Sequence, residues 1–412
     1  MQTKHKSPWL YLLNTAVLVA ALGYFVDIYD LLLFSIVRVK SLTDIGLTGT
    51  ELTDKGLLLI NIQMAGLLIG GVVFGILGDK KGRLSILFGS ILLYSIANLC
   101  NGFVQSFEAY AILRFLAGIG LAGELGAGIS LVSETLPKEA RGLGTMIVAT
   151  VGLFGAVFAW TIADNFTWRT AYFIGGGGGL LLLAMRIGVY ESGIYTKLSA
   201  AHSHISRGNF ISLFTNWNRF KRYISNILMG IQFWFMVGIL ITLSPEFAKA
   251  LGIQGKVEAG KAVVFCYLGL AVGDVISGVL SYLMKSRKKV LVLFLCSAGV
   301  SLLAYFTLSG ISSSLFYGYC FLMGILSGYW ALFVTVAAEN FGTNIRATVA
   351  TTVPNFVRGS LIPISALFTL LKASMGILHA GIVVALVCIS ISVLGISLYK
   401  ETYSKDLDYL EN

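Results

Sequence analysis

The sequence predicts an all-α membrane protein, and this fold class rests on composition and on the length of the hydrophobic runs. The chain has 412 residues, of which 56% are hydrophobic and 12% charged, with a mean hydropathy of +0.83. Soluble domains carry about 25% charged residues, so this chain lacks the polar surface that soluble domains of this total length need. The composition excludes a soluble enzyme, a disordered protein and a DNA-binding factor, although the net charge is +10.

Twelve hydrophobic runs are long enough to cross a bilayer, which takes ~20 residues of helix. Long lipid-facing strands are excluded because an open sheet edge leaves backbone groups unpaired in hydrocarbon. The predicted transmembrane helices are residues 10–38, 56–78, 84–104, 107–133, 142–164, 168–189, 222–247, 260–284, 289–309, 313–337, 346–371 and 376–399.

The distribution of Lys and Arg predicts the topology. If both termini are cytoplasmic, most of the 30 Lys and Arg residues fall on cytoplasmic segments, as the positive-inside rule requires. The positive charge is therefore mainly a topology signal, and its expected partner is anionic lipid rather than nucleic acid. We expect a multi-pass protein of a bacterial inner membrane that works as a monomer.

One long polar connection divides the spans into two sets of six. The predicted units are an N-terminal six-helix bundle at 1–190, a cytoplasmic linker at 191–221 and a C-terminal six-helix bundle at 222–412. Aromatic and basic residues between Phe214 and Lys221 fit a helix that lies in the membrane interface. A solvated linker explains them equally well.

The two halves contain a repeated motif. Glu134 and Arg141 follow the fourth span, and Glu339 and Arg346 follow the tenth, 205 positions later in each case. A parallel duplication of six spans is typical of secondary transporters, which bind substrate between the halves near the membrane midplane.

The loop Gly78-Asp79-Lys80-Lys81-Gly82-Arg83, between spans two and three, resembles the most characteristic motif of the major facilitator superfamily. Its second copy, at 284–288, has Met284 where the first has Asp79. Asp27-Ile-Tyr-Asp30, Arg114 to Glu124 and Arg346 to Arg358 are similar to the metabolite:proton symporters of the sialate and lactate type and partly to sugar porters. The resemblance implies twelve helices in two pseudo-symmetric bundles (the major facilitator fold) and proton-coupled movement of organic acids, sugars or related metabolites.

Ionisable residues inside the predicted spans are costly in a bilayer and each needs a partner or a role. Asp27 and Asp30 are three residues apart and share one face of their helix. By depth, Asp30 can meet Arg114, and Asp27 can meet Glu124. A carboxylate pair of that kind suits a proton carrier, so Asp27, Asp30 and Glu124 are the candidate proton-coupling residues. A static charge network within the first half is the alternative.

Arg358 in span eleven is the main candidate for substrate binding, since a guanidinium can bind both oxygens of a carboxylate. Asp274 in span eight is an alternative, purely structural partner for it. The full set of candidate substrate-binding residues is Arg114, Arg358, Gln232, Trp234, Tyr329, Trp330 and Asn355. For each of the aromatic members, ordinary packing is favoured over contact with a ligand.

The loop after span two suggests a gate. Asp79 is expected to meet the amino end of a span from the other half and so to close the cytoplasmic side; a basic loop that only fixes topology is the alternative. The candidate gating residues are Gly78, Asp79, Gly82, Arg83, Glu134, Arg141, Glu339 and Arg346.

We predict a secondary transporter that couples the symport of a small organic anion to protons by alternating access. The alternative is a proton-coupled exporter or importer of a siderophore, drug or sugar. Its expected partners are the small-molecule substrate, protons and the bilayer. No cofactor and no metal are expected, and the scattered His and Cys residues give no enzyme constellation. The five glycines at 175–179 are read as either a hinge or a packing surface.

Overall fold

The computed structural model describes residues 14–49, 51–136, 141–186, 207–403, 405 and 409–411. Within them the chain is helical, apart from turns and one isolated bridge between Gln254 and Ser312. Most of the predicted linker, residues 191–206, lies outside the described part, and so do the side chains of Arg83 and Arg141.

The helices are numbered in chain order as α1 Thr15–Asp44, α2 Glu51–Lys81, α3 Arg83–Asn101, α4 Phe107–Leu121, α5 Glu124–Thr135, α6 Arg141–Asn165, α7 Trp168–Met185, α8 Ser212–Thr215, α9 Trp217–Phe235, α10 Ser244–Ala250, α11 Ala259–Met284, α12 Arg287–Tyr305, α13 Ser313–Leu326, α14 Trp330–Glu339, α15 Arg346–Gly359 and α16 Leu361–Leu398. A π-helical turn, Met236–Ile241, continues α9.

These helices supply twelve membrane spans, as the hydrophobic runs predicted. Nine helical segments of the described chain are long and apolar enough to cross a membrane. The last of them, residues 346–398, contains two spans because Gly376 leaves the helical conformation at φ 79° within α16. The shorter helices α3 and α7 provide the remaining two. The predicted fold class is therefore confirmed.

Two spans are broken at equivalent places in the two halves. The fourth span consists of α4 and α5, which are separated at Gly123, and the tenth consists of α13 and α14, which are separated at Gly328. The two glycines are 205 positions apart, the same offset as the repeated Glu and Arg residues. The duplication thus extends to the backbone breaks that shape the centre of each half.

Two helix pairs form most of the contact between the halves, α2 with α15 and α6 with α11. At the first contact Gly75 lies so close to the backbone of Thr348 that an added Cβ would stand 2.9 Å from its Cα. Small residues of this kind allow membrane helices to approach closely. The α2–α15 contact is called the seam below.

The five-glycine run in α7 is a packing surface on one side and open on the other. An added Cβ at Gly175 would stand 2.3 Å from Asp30 Oδ1, and one at Gly179 would stand 2.1 Å from the Ser95 hydroxyl. Gly177 and Gly178, by contrast, have no atom within 4 Å of such a Cβ. The described geometry therefore favours packing over a hinge, since φ stays helical throughout this run.

Candidate functional site

A buried ion pair joins the two halves of the chain. Arg358 Nη2 of α15 lies 3.5 Å from Asp27 Oδ2 of α1, and both side chains are almost fully buried. Arg358 Nη1 also donates to Asn355 Oδ1 at 3.3 Å. Asn355 Nδ2 in turn donates to the Ala122 carbonyl, at the break between α4 and α5, at 2.8 Å. Three of the predicted site residues therefore form one network between the halves.

Two indole rings lie beside this ion pair. The Arg358 guanidinium carbon is 5.9 Å from the Trp234 ring centroid and 6.0 Å from that of Trp330. Phe233 stacks on Trp330 with the ring centroids 4.8 Å apart. Aromatic faces attract guanidinium groups at such distances. Arg358 thus lies between a carboxylate from one half and two indoles from the other.

Asp274, the alternative partner considered for Arg358, is used elsewhere. Its Oδ1 accepts a hydrogen bond from the Ala331 N–H at 3.1 Å. Ala331 is in the first turn of α14, where the N–H groups have no acceptor within the helix and favour a carboxylate. Asp274 therefore stabilises the start of α14, and Asp27 holds Arg358.

Asp27 and Glu124 do not meet in a direct contact, although the charge of Glu124 acts on Asp27. Glu124 of α5 accepts hydrogen bonds on both carboxylate oxygens from Arg186, at the end of α7. Arg186 also donates to the Val19 carbonyl at 3.3 Å, and both charged side chains are buried. Each carboxylate faces an arginine because opposite charges offset the cost of desolvation, which a pair of carboxylates would increase.

Arg114 and Asp30 belong to a second buried cluster, inside the first half. Arg114 donates to Asn98 Oδ1, and its guanidinium lies 4.8 Å from the Tyr172 ring centroid. Among the described residues Arg114 makes no direct ion pair with Asp30, but its charge acts on Asp30, as does that of Asp27. The Tyr172 hydroxyl is 2.7 Å from that of Tyr110. Arg114 and Asp30 therefore interact electrostatically, as expected, but without a direct contact.

Gln232 and Tyr329 use their polar atoms inside the second half. Gln232 Nε2 donates to the Leu295 carbonyl of α12 at 3.0 Å, and the Tyr329 hydroxyl donates to the Met229 carbonyl of α9 at 3.0 Å. These bonds hold α9, α12 and the start of α14 together. The structure does not bring either polar group to Arg358.

Asp79 forms the predicted contact with the amino end of a span from the other half. Its side chain is buried and accepts hydrogen bonds from the N–H groups of Ala347 at 3.1 Å and Thr348 at 2.8 Å, in the first turn of α15. The Thr348 hydroxyl donates a third bond at 2.7 Å. The carboxylate therefore caps α15 and joins it to α2 at the predicted cytoplasmic end.

The glycines of the same loop make this contact possible. An added Cβ at Gly78 would stand 3.1 Å from the Ala347 methyl group, so a side chain there would push α15 away. Gly82 has φ 101°, a conformation that favours glycine, and it turns the chain from α2 into α3.

The repeated Glu and Arg residues pair differently from each other. Glu134 of α5 accepts from Arg346 of α15, in the other half, at 3.3 Å, which reinforces the Asp79 contact. Glu339 is bound instead by Arg287 of its own half, at 3.0 Å. Only the first of these two pairs joins the halves.

The opposite end of the molecule has its own contacts between the halves, which the sequence reasoning missed. Arg38 of α1 forms a 2.9 Å ion pair with Glu246 of α10, and Asn61 Nδ2 of α2 donates to the Ser365 hydroxyl of α16 at 2.9 Å. Arg38 is the last residue of the first predicted span, and the topology argument counted its charge with the external segments. Its position directly after an unbroken hydrophobic run was the signal that placed it in a helix.

Among the described residues no group of three or more His, Cys, Asp or Glu side chains is placed to hold a metal ion. The site therefore consists of ion pairs, helix caps and aromatic rings between two repeated halves that touch at both ends.

Comparison with known proteins shows which family has this architecture. The family model described as Major Facilitator Superfamily matches residues 9–366. The 3-(3-hydroxy-phenyl)propionate transporter of Escherichia coli is 28% identical over 302 residues, 69% of each chain. The niacin transporter NiaP of Acinetobacter baylyi is 24% identical over 367 residues, 81% of each chain.

A solved structure gives the same result for the fold. The proton:xylose symporter XylE, bound to 6-bromo-6-deoxy-D-glucose, aligns with a TM-score of 0.75 at 15% identity and covers 98% of each chain. At that identity the likeness concerns the fold alone. The family match, which covers most of the chain, goes further: this protein belongs to the Major Facilitator Superfamily and is a membrane transporter rather than an enzyme.

Proposed function

We propose that this transporter is a proton-coupled symporter of a small organic anion and that it works by alternating access. The observation that carries the proposal is the buried Asp27–Arg358 pair between the halves. In this scheme residues 1–190 and 222–412 are the two moving bundles, both termini are cytoplasmic, and the monomer sits in a bacterial inner membrane.

The ion pair supplies a direct way to couple a proton to an anion. Arg358 is buried, so losing its carboxylate partner without replacement costs several kcal/mol. A proton on Asp27 neutralises that partner, and a substrate carboxylate then takes its place on the guanidinium. Because one positive charge and one negative charge enter together, a monocarboxylate and one proton move without net charge.

The rings beside Arg358 support a preference for substrates with a flat apolar part. Trp234 and Trp330 flank the guanidinium, so a ring attached to the bound carboxylate would stack against an indole. Two relatives are named for niacin and 3-(3-hydroxy-phenyl)propionate, which are both aromatic carboxylic acids. A small aromatic or unsaturated carboxylate is therefore the first substrate class to test.

The other buried charges are assigned supporting roles. Asp30 is the second candidate proton carrier, because it is buried and interacts electrostatically with Arg114. Glu124 is held by Arg186, so it reaches the proton path only when that pair opens. Asp79 and Glu134 close the cytoplasmic side by holding α15, and the contacts of Arg38 and Asn61 close the other side.

The test is uptake into proteoliposomes of matched pairs of aromatic carboxylates and their amides, with and without an imposed proton gradient. Wild type should accumulate the carboxylate only with the gradient and should leave the amide behind. Asp27→Asn should lose gradient-driven accumulation, because the site can no longer release a proton. Arg358→Lys should weaken apparent affinity for the anion, because the planar two-pronged donor is lost.

Glu51→Gln is the matched control, because it removes an exposed carboxylate at the outer end of α2 without touching the site. Equal uptake of acid and amide would contradict anion binding by Arg358 and favour a neutral substrate, such as a sugar. Full gradient-driven accumulation by both Asp27→Asn and Asp30→Asn would overturn the coupling scheme.

A further inference from the structure

The segment that joins the two halves ends in an exposed aromatic and basic elbow, defined here as residues 207–222. It contains the short helix α8 and the first turns of α9. Three large apolar side chains are strongly exposed on it: Ile211 at 70%, Phe214 at 50% and Trp217 at 73%. Apolar groups this exposed need a partner or a bilayer to cover them.

The elbow carries positive charge only. No Asp or Glu occurs between Glu191 and Glu246, whereas Arg219, Lys221 and Arg222 follow directly after Trp217. Arg222 is bound by Glu411 through two 2.9 Å hydrogen bonds. Lys221 is exposed, and Arg219 Nε is buried with no hydrogen-bond partner.

The elbow lies beside the seam and touches both halves. An added Cβ at Gly208 would stand 2.6 Å from the Ile76 carbonyl of α2, and the Gly208 N–H donates to the Asn344 carbonyl, just before α15, at 2.9 Å. Phe210 packs with Phe356 of α15 at a centroid distance of 6.2 Å. The first two contacts place Gly208 at the predicted cytoplasmic ends of α2 and α15, whereas Phe210 reaches Phe356, ten residues into α15.

The depth of the elbow follows from these neighbours. Ile76 is about one and a half turns before the end of α2, so Gly208 sits at the level where helices leave the membrane. Side chains that project outward from there meet the headgroup region of the inner leaflet. Aromatic rings and basic residues are the types that bind at this level.

We propose that the elbow is a binding site for an anionic phospholipid of the inner leaflet. Phe214 and Trp217 insert among the upper acyl chains, while Arg219 and Lys221 bind the phosphate-bearing headgroup. The lipid then sits against the seam that must separate when the cytoplasmic side opens, so it is placed to influence that step. The proposal concerns a lipid partner and does not depend on which substrate is carried.

The experiment measures quenching of Trp217 by brominated lipids around the full-length protein in nanodiscs. The contribution of this indole is the difference between wild type and Trp217→Phe. Brominated phosphatidylglycerol should quench it more strongly than brominated phosphatidylcholine at the same mole fraction. Arg219→Gln with Lys221→Gln should reduce the preference, each charge contributing on the order of fivefold, and high salt should do the same.

Lys285→Gln with Lys289→Gln is the matched control, because both lysines are exposed cytoplasmic charges away from the elbow; it should retain the preference. Equal quenching by the two lipids would overturn the headgroup assignment. Absence of quenching by either lipid would place the elbow in water or under a protein partner and would overturn the proposal as a whole. None of these readouts requires transport, so failure of the symport scheme would leave them unchanged.

Discussion

Replacing Asp79 by Asn should open the cytoplasmic side of the transporter. The wild-type carboxylate accepts three hydrogen bonds from Ala347 and Thr348 and carries its charge at the amino end of α15. Asn has the same shape but loses the charge. It also presents an amide NH2 group to backbone N–H groups, so one of the two carboxylate oxygens is replaced by a donor facing donors.

The size of the effect follows from these contacts. A hydrogen bond to a charged group contributes about 1.5–3 kcal/mol, and a charge at a helix end adds up to ~2 kcal/mol when partly buried. With its amide oxygen at the Oδ2 position Asn can preserve the two bonds from Thr348, but it loses the bond from Ala347 and the charge at the helix end, so we take the loss as about 3 kcal/mol. That loss acts only on the state in which α2 and α15 touch. It corresponds to roughly a 100-fold shift towards the open state.

The assay uses a single cysteine at Thr351 as a reporter. Thr351 is buried against Gly126 of α5 between the halves, so a thiol there reacts with a maleimide only when the cytoplasmic side opens. The five native cysteines are replaced in this background. In inside-out vesicles the labelling rate should rise strongly in Asp79→Asn, since it follows the population of the open state.

Glu51→Gln serves again as the control because it removes a carboxylate from the far end of the same helix. It should label at the wild-type rate. If Asp79→Asn also labels at that rate, the cap on α15 does not hold the cytoplasmic side closed, and the reasoning from these contacts is refuted.

Two further substitutions test the buried packing of the first half. Arg186→Gln leaves Glu124 buried without its partner and should lower the free energy of unfolding by about 3–5 kcal/mol; Glu124→Gln with Arg186→Gln should recover most of the loss, and an equally unstable double variant would contradict the argument. Gly175→Ala should lower the thermal midpoint because its Cβ meets Asp30, whereas Gly177→Ala, with open space, should be neutral or raise it, since Ala favours a helix by ~1 kcal/mol over Gly. Equal midpoints for the two alanine variants would count against the assigned packing.

The sequence predicted the helices and one cap well for a simple reason. Hydrophobic run length and loop position are local properties, so twelve spans and the place of Asp79 at the end of α2 could be found without coordinates. The breaks at Gly123 and Gly328 could not be found this way. Hydropathy continues across them, and only packing against neighbouring helices shows that the backbone turns there.

The assignment of ion pairs was less successful, because depth in a membrane does not give direction around a helix. Asp27 and Glu124 were placed at similar depth, but Glu124 faces Arg186 and Asp27 faces Arg358. Arg186 had been located inside a span without being given a partner. A search for the arginine available to each buried acid, before any pair of acids was considered, would have favoured the observed pairs.

The two halves repeat in sequence but differ at the predicted cytoplasmic end. Where the first half has Asp79 to cap α15, the second has Met284. A different acid lies near the start of α12. Glu401, in the segment after α16, accepts hydrogen bonds from the N–H groups of Arg287 and Lys288 at the start of α12. Partial burial opposes its ionisation, but the Ser286 hydroxyl and the backbone N–H groups outweigh this and lower the pKa of Glu401.

Because Met284 replaces the acid of the first half, the bonds at the start of α12 have a different role from those of Asp79. Glu401 and α12 belong to the same half, and so do Glu339 and Arg287, so these bonds stiffen one bundle without joining it to the other. The described carboxylates that join the two halves at this end, Asp79 of α2 and Glu134 of α5, both bind the start of α15. Within the part of the chain that the structure describes, the carboxylate contacts between the halves at this end therefore converge on a single helix end, the start of α15.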